Sequence, residues 1–187
     1  MKPAEFLQIL HTAEKLKDTT RHCTTSKGRP ESVAEHSWRI ALMAYFLRSK
    51  FPELNMEKVT NMCLIHDLGE CFTGDIPSFN KTKADEKRED DLLADWVTSL
   101  PEPYCTDMAA LYAEMNALET PEARLYKSLD KLEAVIQHNE SPLATWEPHE
   151  YQLNQTYAFD IVESFPWMKV LRQEILKDTQ TKIEKGE

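Results

Sequence analysis

Four side chains that can ligate a metal interrupt the apolar faces of three predicted helices. His36 lies on one apolar face, His66 lies on the inner side of a second helix with Asp67 directly after it, and Asp130 adjoins Leu129 on a third. A single histidine on an apolar face is usually a core residue, but a buried aspartate needs a partner because an isolated buried carboxylate is very costly. Two imidazoles and two carboxylates can satisfy one another through a divalent cation. This donor set suits Mn, Fe, Co, Ni or Zn rather than Ca or a cysteine-based structural zinc.

Helical periodicity predicts the elements that must position these side chains. A first helix begins after Pro3, and its apolar residues are Phe6, Leu7, Leu10 and Ala13. Two of the helices that carry the candidate ligands are expected to begin at the capping residues Ser32 and Asn55, and the third opens at Thr120-Pro121, with proline in its first turn. The helix that carries His66 is expected to end near Gly69, and a short helix is expected around Met108–Met115. Residues 18–31 are polar and are expected to form a loop.

The chain shows no strand alternation, internal repeat or low-complexity block. Two further helical stretches, separated near Pro166, close the sequence. We therefore expect an all-α fold in a single domain over residues 1–187. Residues from about 21 to 140 carry the candidate site, and additional helices follow at the C-terminal end.

Composition excludes several classes of function. The four glycines cannot build a glycine-rich phosphate loop, and 22 Lys+Arg against 32 Asp+Glu give a net charge of −10, which disfavours binding to duplex nucleic acid. The longest apolar stretch, Ile40–Leu47, is far shorter than the ~20 residues that span a bilayer, and no signal peptide is evident. The cysteines form no C-x-x-C pair and are expected to be reduced thiols. These features predict a cytoplasmic protein that does not bind membranes.

One segment departs from the acidic average. Residues 11–30 contain five Lys or Arg against two Asp or Glu, a charge of +3, so the remainder carries −13. A basic loop beside a metal site would concentrate an anionic substrate such as a phosphate. An ordinary patchy surface explains the same distribution.

The combination of His36, His66-Asp67 and Asp130 resembles the H…HD…D pattern of the HD-domain metal-dependent phosphohydrolases, from about Arg21 to Gln137. The run His66–Pro77 (HDLGECFTGDIP) is similar to the HD-A-S-E-x-x-x-GD-[LI]-P run of the 5′-deoxynucleotidases in that superfamily. The resemblance implies the all-helical HD fold and one divalent metal ion (Mn, Co, Fe, Ni, Zn or Mg) held by the four residues.

The same resemblance implies roles for three more residues. The counterparts of Glu70 and Asp75 are assigned to catalysis beside the metal, and Arg21 lies where those enzymes carry a substrate-binding arginine. Glu70 could handle the proton of the water or of the leaving oxygen, Asp75 could orient the water, and Arg21 could clamp the phosphate. This chain carries His22 where the family typically has tryptophan. His138 and His149 are given no role in the site.

The leading hypothesis is therefore a phosphohydrolase that releases phosphate from (deoxy)nucleoside 5′-monophosphates. Two alternatives stay open: a hydrolase of another phosphorylated metabolite, and a nucleotide-sensing, metal-binding module without hydrolytic activity. Family members are often homodimers, so the resemblance also implies self-association.

Overall fold

The structure, a computed structural model, describes residues 1–77 and 79–186, and it is built mainly from helices. The prediction of an all-α fold is confirmed, apart from one small sheet of two strands, β1 (Thr20–Thr24) and β2 (Pro30–Ser32). None of the helices in these two stretches is both long enough and apolar enough to cross a membrane. The helices are α1 (Pro3–Glu14), α2 (Val33–Leu47), α3 (Met56–Ile65), α4 (Glu70–Thr73), α5 (Lys83–Thr98), α6 (Tyr104–Ala117), α7 (Pro121–Glu140), α8 (Glu150–Thr156) and α9 (Pro166–Lys185).

The helices α2 and α3 begin where the capping residues predict. Ser32 Oγ accepts a hydrogen bond from the N–H of Glu35, and the Glu35 carboxylate accepts one from the N–H of Ser32, which completes the capping box. The Asn55 side chain likewise accepts a hydrogen bond from the N–H of Lys58. The two helices pack against each other through fully buried residues that include Ile40 and Met62. Each such side chain contributes about 1.5–3 kcal/mol on burial.

The long helix α7 occupies the centre of the fold. Thr120 Oγ1 accepts a hydrogen bond from Ala123 N–H at its start, and it packs against α2, α3, α6 and α9. On its apolar face Leu125, Leu129 and Leu132 are completely buried, and Ile136 is partly buried. Because these contacts hold α7 against α2 and α3, they also fix the position of Asp130.

Residues 18–31 form a β-hairpin rather than the predicted loop. β1 and β2 pair antiparallel, with Thr20 opposite Ser32 and Thr24 opposite Pro30, and Gly28 at the turn has a φ of +77°. The Thr24 carbonyl accepts hydrogen bonds from Gln137 Nε2 and from Ser141 Oγ, both at 2.6 Å. These donors are more than 110 residues away, so the local sequence does not reveal them.

Two further expectations need correction. α3 ends at Ile65 instead of near Gly69, because a tight turn follows it and Glu70 opens the separate helix α4. α6 begins at Tyr104, earlier than the expected Met108. The predicted first helix is present as α1, and its apolar residues Phe6, Leu7 and Leu10 are about half exposed.

Candidate metal centre and cavity

The four predicted metal ligands lie together at the junction of α2, α3 and α7. His36 comes from the first turns of α2, His66 and Asp67 directly follow α3, and Asp130 comes from the middle of α7. His36 Nε2 lies 3.1 Å from Asp130 Oδ1 and 4.0 Å from Asp67 Oδ2. His66 Nε2 lies 3.0 Å from Asp67 Oδ2 and 3.7 Å from Asp130 Oδ1. One nitrogen of each imidazole therefore faces both carboxylates.

The other nitrogen of each ring is held by a hydrogen bond. His66 Nδ1–H donates to the carbonyl oxygen of Cys63 at 2.9 Å, and His36 Nδ1–H donates to the carboxylate of Glu133. A proton on Nδ1 leaves the lone pair of Nε2 available toward the carboxylates. Both rings are therefore oriented as metal-ligating histidines are in other proteins.

The residues present fit a single divalent ion. Two ligand atoms that each lie about 2.1 Å from one ion are at most about 4.2 Å apart, and every separation given above falls within that limit. Within the described part of the chain, His66 Nε2 is buried and has no hydrogen-bond partner. A cation between these donors would satisfy it, and two nitrogen and two oxygen donors suit a transition-metal ion.

The electrostatics of the cluster show how strongly it favours positive charge at its centre. Burial opposes charge on His66, but Asp67 and Asp130 raise the pKa of its imidazole to about 10. Burial likewise opposes ionisation of Asp130, yet Lys127 and the two histidines hold its pKa well below the usual range. The carboxylates thus remain anionic and attract a cation.

Arg21 lies beside this cluster, held by two carboxylates. β1 carries it, its Nε is 3.3 Å from Glu31 Oε2, and its Nη1 is 3.6 Å from Asp67 Oδ2. Burial opposes the guanidinium charge, but Asp67 and other neighbouring acids raise its pKa above the ordinary value. Arg21 therefore presents a fixed positive charge next to the predicted metal position.

Glu70 and Asp75 approach the cluster from the turn that follows α3. Glu70 opens α4 and is only 6% exposed, and burial together with the charges of Asp67 and Asp75 raises its pKa to about 9. Gly74, with a φ of +76°, adopts the left-handed backbone that places Asp75 after α4. Burial raises the pKa of Asp75, although Arg21 opposes the shift.

A cavity of about 220 Å³ joins these residues. Arg21, Asp67, Glu70, Asp75 and Asp130 all line it, so the structure brings together the predicted residues around one space. The buried rings of His36 and His66 lie behind its wall. A single water molecule needs about 15 Å³, so the cavity has room for a small organic molecule.

The basic side chains that line this cavity differ from those that the sequence suggested. Of the five basic residues in 11–30, Arg21 lines the cavity, whereas Arg29 pairs with Glu35 at the surface. The cavity lining also contains three lysines that the sequence did not single out: Lys81, Lys127 and Lys131. Lys127 Nζ lies 2.7 Å from Asp130 Oδ2, and their spacing of three residues on a helix is the signal that could have identified it.

The far wall of the cavity contains two histidines that the sequence left without a role. His22 Nε2 and His138 Nε2 lie 3.0 Å and 3.3 Å from the same carboxylate oxygen of Glu150, which is 1% exposed. Cys23 Sγ is 3.2 Å from His138 Nε2. These partners are distant in sequence, so no local spacing indicates the cluster.

Comparisons with known proteins find similarity to HD-domain proteins and phosphohydrolases. Residues 13–166 match a family described as HD domain. The chain is 31% identical over 139 residues to the 5′-deoxynucleotidase HDDC2 of Homo sapiens, and this alignment covers 72% of the chain and 67% of that protein.

Two solved structures extend the likeness to the fold. The crystal structure of a predicted metal-dependent phosphohydrolase from Magnetospirillum magnetotacticum MS-1 superposes with a TM-score of 0.81 at 26% identity, covering 96% of this chain and 93% of that one. The HD phosphohydrolase DatZ of cyanophage S-2L, solved with dA and one catalytic Zn²⁺, shares the fold with a TM-score of 0.56 at 23% identity, covering 94% of each chain.

Proposed function

Because this chain belongs to the HD-domain family, we propose that it is a metal-dependent phosphohydrolase that cleaves (deoxy)nucleoside 5′-monophosphates to nucleoside and phosphate. One observation carries this conclusion: Arg21, Glu70 and Asp75 all line the cavity beside the four clustered metal-ligand candidates. Support for a nucleotide substrate comes from the 5′-deoxynucleotidase relative and from the neighbour solved with dA.

The ligand set of the proposed centre is His36, His66, Asp67 and Asp130, holding one ion of Mn, Co, Fe, Ni, Zn or Mg. A divalent ion there supplies positive charge that offsets the phosphate dianion and acidifies water. The carboxylates of Asp67 and Asp130 keep the cation in place, and the hydrogen bonds on Nδ1 hold both imidazole rings in the ligating orientation.

The remaining residues act on the substrate itself. Arg21 binds phosphate oxygens with its planar fork, because its charge faces the cavity and its position is fixed by Glu31 and Asp67. Glu70 exchanges a proton with the water or with the leaving 5′ oxygen, for which its buried carboxyl group is suited. Asp75 orients the attacking water from the turn at Gly74.

A phosphate-release assay tests this function. Metal-stripped protein is reloaded with Mn, Co, Zn or Mg and given deoxynucleoside and ribonucleoside 5′-monophosphates, with Glu70→Gln as the matched inactive variant. We expect metal-dependent release that the variant loses by about 100-fold or more. Release of phosphate only from other phosphorylated metabolites would show that the substrate is not a nucleotide. Tight nucleotide binding without turnover would indicate a sensing module instead.

We also propose that the protein is a cytoplasmic homodimer that pairs through the outer face of α2. From Trp38 to the end of α2, the exposed residues are all apolar or aromatic: Trp38, Leu42, Tyr45 and Phe46. They present roughly 450 Å² per copy, so pairing of two copies buries about 900 Å² before any polar rim, near the ~1,000 Å² of a specific interface. The four free thiols are consistent with a reducing compartment.

Light scattering on a sizing column tests the dimer. Phe46→Glu should yield a monomer, whereas Val170→Glu, a change at another exposed apolar residue on α9, should leave the mass unchanged. A wild-type protein that remains monomeric at high micromolar concentration contradicts the pairing.

A further inference from the structure

Two buried carboxylates lie behind the cluster and do not themselves line the cavity. Glu31, at the end of the hairpin, is 3% exposed, and Glu133 on α7 is fully buried. A carboxylate oxygen of each and a ring nitrogen of His36 all lie within 4.8 Å of one another. Two buried acids so close together are costly for stability, so their presence calls for another reason.

Glu133 holds the ring of His36. Its Oε2 accepts a hydrogen bond from His36 Nδ1–H at 2.5 Å, while its Oε1 lies 3.5 Å from Nη1 of Arg39. Arg39 is itself held by Gln137 and Glu140 at 2.8 Å and 2.6 Å. The ring of His36 is thereby oriented with Nε2 toward Asp130, and the supporting chain extends to the surface of α7.

Glu31 holds Arg21 in the corresponding way. Glu31 Oε2 lies 3.3 Å from Arg21 Nε, and this ion pair restrains the flexible arginine side chain. Arg21 Nη1 is then directed toward Asp67. Arg21 Nε, Glu31 Oε2 and Glu133 Oε1 are each buried and lack a hydrogen bond of good geometry among the described residues. The polar groups of this pair are therefore incompletely satisfied within the described part of the chain.

We propose that Glu133 and Glu31 form one buried unit of positioning residues, in which Glu133 sets the metal ligand His36 and Glu31 sets the phosphate-binding Arg21. This assignment rests on the proposed function, since it presumes a metal and a phosphate. In this assignment, one pair of adjacent carboxylates fixes both the ring of His36 and the guanidinium of Arg21. The two halves act on different ligands, so their effects separate experimentally.

Binding of Co²⁺ to metal-stripped protein, measured by competition with a chelator, tests the first half without any need for turnover. Glu133→Ala should weaken Co²⁺ binding by 10- to 100-fold, because the ring of His36 loses its support. Glu133→Gln should restore binding to within about threefold, since the amide oxygen still accepts the Nδ1 proton. Glu174→Gln, a change at an exposed position on α9 outside this supporting chain, is the control and should bind as the wild type does.

The ¹⁵N NMR spectrum of the His36 imidazole in the wild-type protein provides a check that does not depend on folding of a variant. In the Co-free, Zn-loaded protein, long-range ¹⁵N NMR should show His36 protonated at Nδ1. Protonation at Nε2, or unchanged Co²⁺ binding in a folded Glu133→Ala, overturns the role of Glu133. If Glu133→Ala loses Co²⁺ while the wild type releases no phosphate from any nucleotide, the proposed function fails and the positioning role of Glu133 stands.

Binding of inorganic phosphate to the metal-loaded protein tests the second half. Glu31→Ala should weaken phosphate binding and raise KM for a nucleotide by about tenfold, with Co²⁺ affinity and kcat nearly unchanged. Glu31→Gln should recover most of the loss. Equal losses of Co²⁺ and phosphate binding in Glu31→Ala, or no loss of phosphate binding, overturn the assignment for Glu31.

Discussion

His36 Nε2 and Asp130 Oδ1 lie 3.1 Å apart although 94 positions separate them in the chain. The packing of α2 on α7 brings them together, and the completely buried Ile40 and Leu129 lie on the same two helices. The hydrophobic core and the candidate metal centre are therefore built by the same helix contacts. A change that shifts α7 against α2 would alter the core and the ligand geometry together.

Removal of a single predicted ligand should abolish metal binding. His66→Ala takes away a buried nitrogen that faces both Asp67 and Asp130, and the remaining donors cannot complete the site. After reloading and dialysis, we expect metal content to fall from about one equivalent per chain to near zero, measured by inductively coupled plasma mass spectrometry. His11→Ala, at an exposed position on α1, is the control. Unchanged metal content in His66→Ala would remove this residue from the ligand set.

Loss of the Arg21 guanidinium should weaken binding of a phosphate-bearing substrate. We expect Arg21→Ala to raise KM by about tenfold or more, equivalent to about 1.4 kcal/mol, because the fork at the cavity is lost. The KM of Arg21→Lys should fall between those of the wild type and Arg21→Ala, because a lysine keeps the charge without the planar geometry. Arg29→Ala, in the same hairpin but 59% exposed and paired with Glu35, should leave KM unchanged. Steady-state kinetics that show an unaltered KM in Arg21→Ala would place this residue outside the site.

The features that the sequence predicted correctly depend on nearby residues. Ser32 and Glu35 lie three positions apart, and the apolar stripe of α7 repeats along one helix, so their spacing alone determines the local structure. The clustering of His36, His66, Asp67 and Asp130 followed because three amphipathic helices must turn their inner faces to one core.

The features that the sequence did not reveal depend on distant partners. The hairpin that carries Arg21 is held through Thr24 by donors on and just after α7, and its strands are too short to show alternation. His22 and His138 meet through Glu150, a contact that only the folded chain creates. The end of α3 at Ile65 was missed because the turn before α4 keeps a nearly helical backbone at Gly69.

Glu70 should destabilise the metal-free protein as the pH rises. Its carboxyl pKa is about 9 in the folded chain against 4.5 in the unfolded one, so the folded chain holds this proton more tightly and loses stability as the group ionises. The free energy of unfolding therefore falls between about pH 4.5 and pH 9. Glu70→Gln mimics the protonated form at every pH, and we expect its metal-free melting temperature at pH 8 to exceed that of the wild type by about 3 °C or more.

Calorimetry across this pH range checks the direction of the effect. The difference between Glu70→Gln and the wild type should shrink toward zero near pH 4, where both side chains are neutral. Glu174→Gln, at a 60% exposed position on α9, should show no such trend. A Glu70→Gln variant that is less stable than the wild type at pH 8 would show that the carboxylate is satisfied in the folded protein.

Cys105 should be the one thiol that reacts rapidly in the folded protein. Cys23, Cys63 and Cys71 are at most 7% exposed, and burial raises the pKa of Cys23 to about 12 and that of Cys63 further, so neither forms a thiolate near neutral pH. Cys105 is partly exposed on α6, although its contact with Glu102 raises its pKa above the ordinary value. Titration with a disulfide reagent at pH 8 should give one fast equivalent, and four after denaturation. Cys105→Ser should lose the fast phase, and a fast phase that persists in this variant would show that an element carrying one of the three buried thiols opens readily in solution.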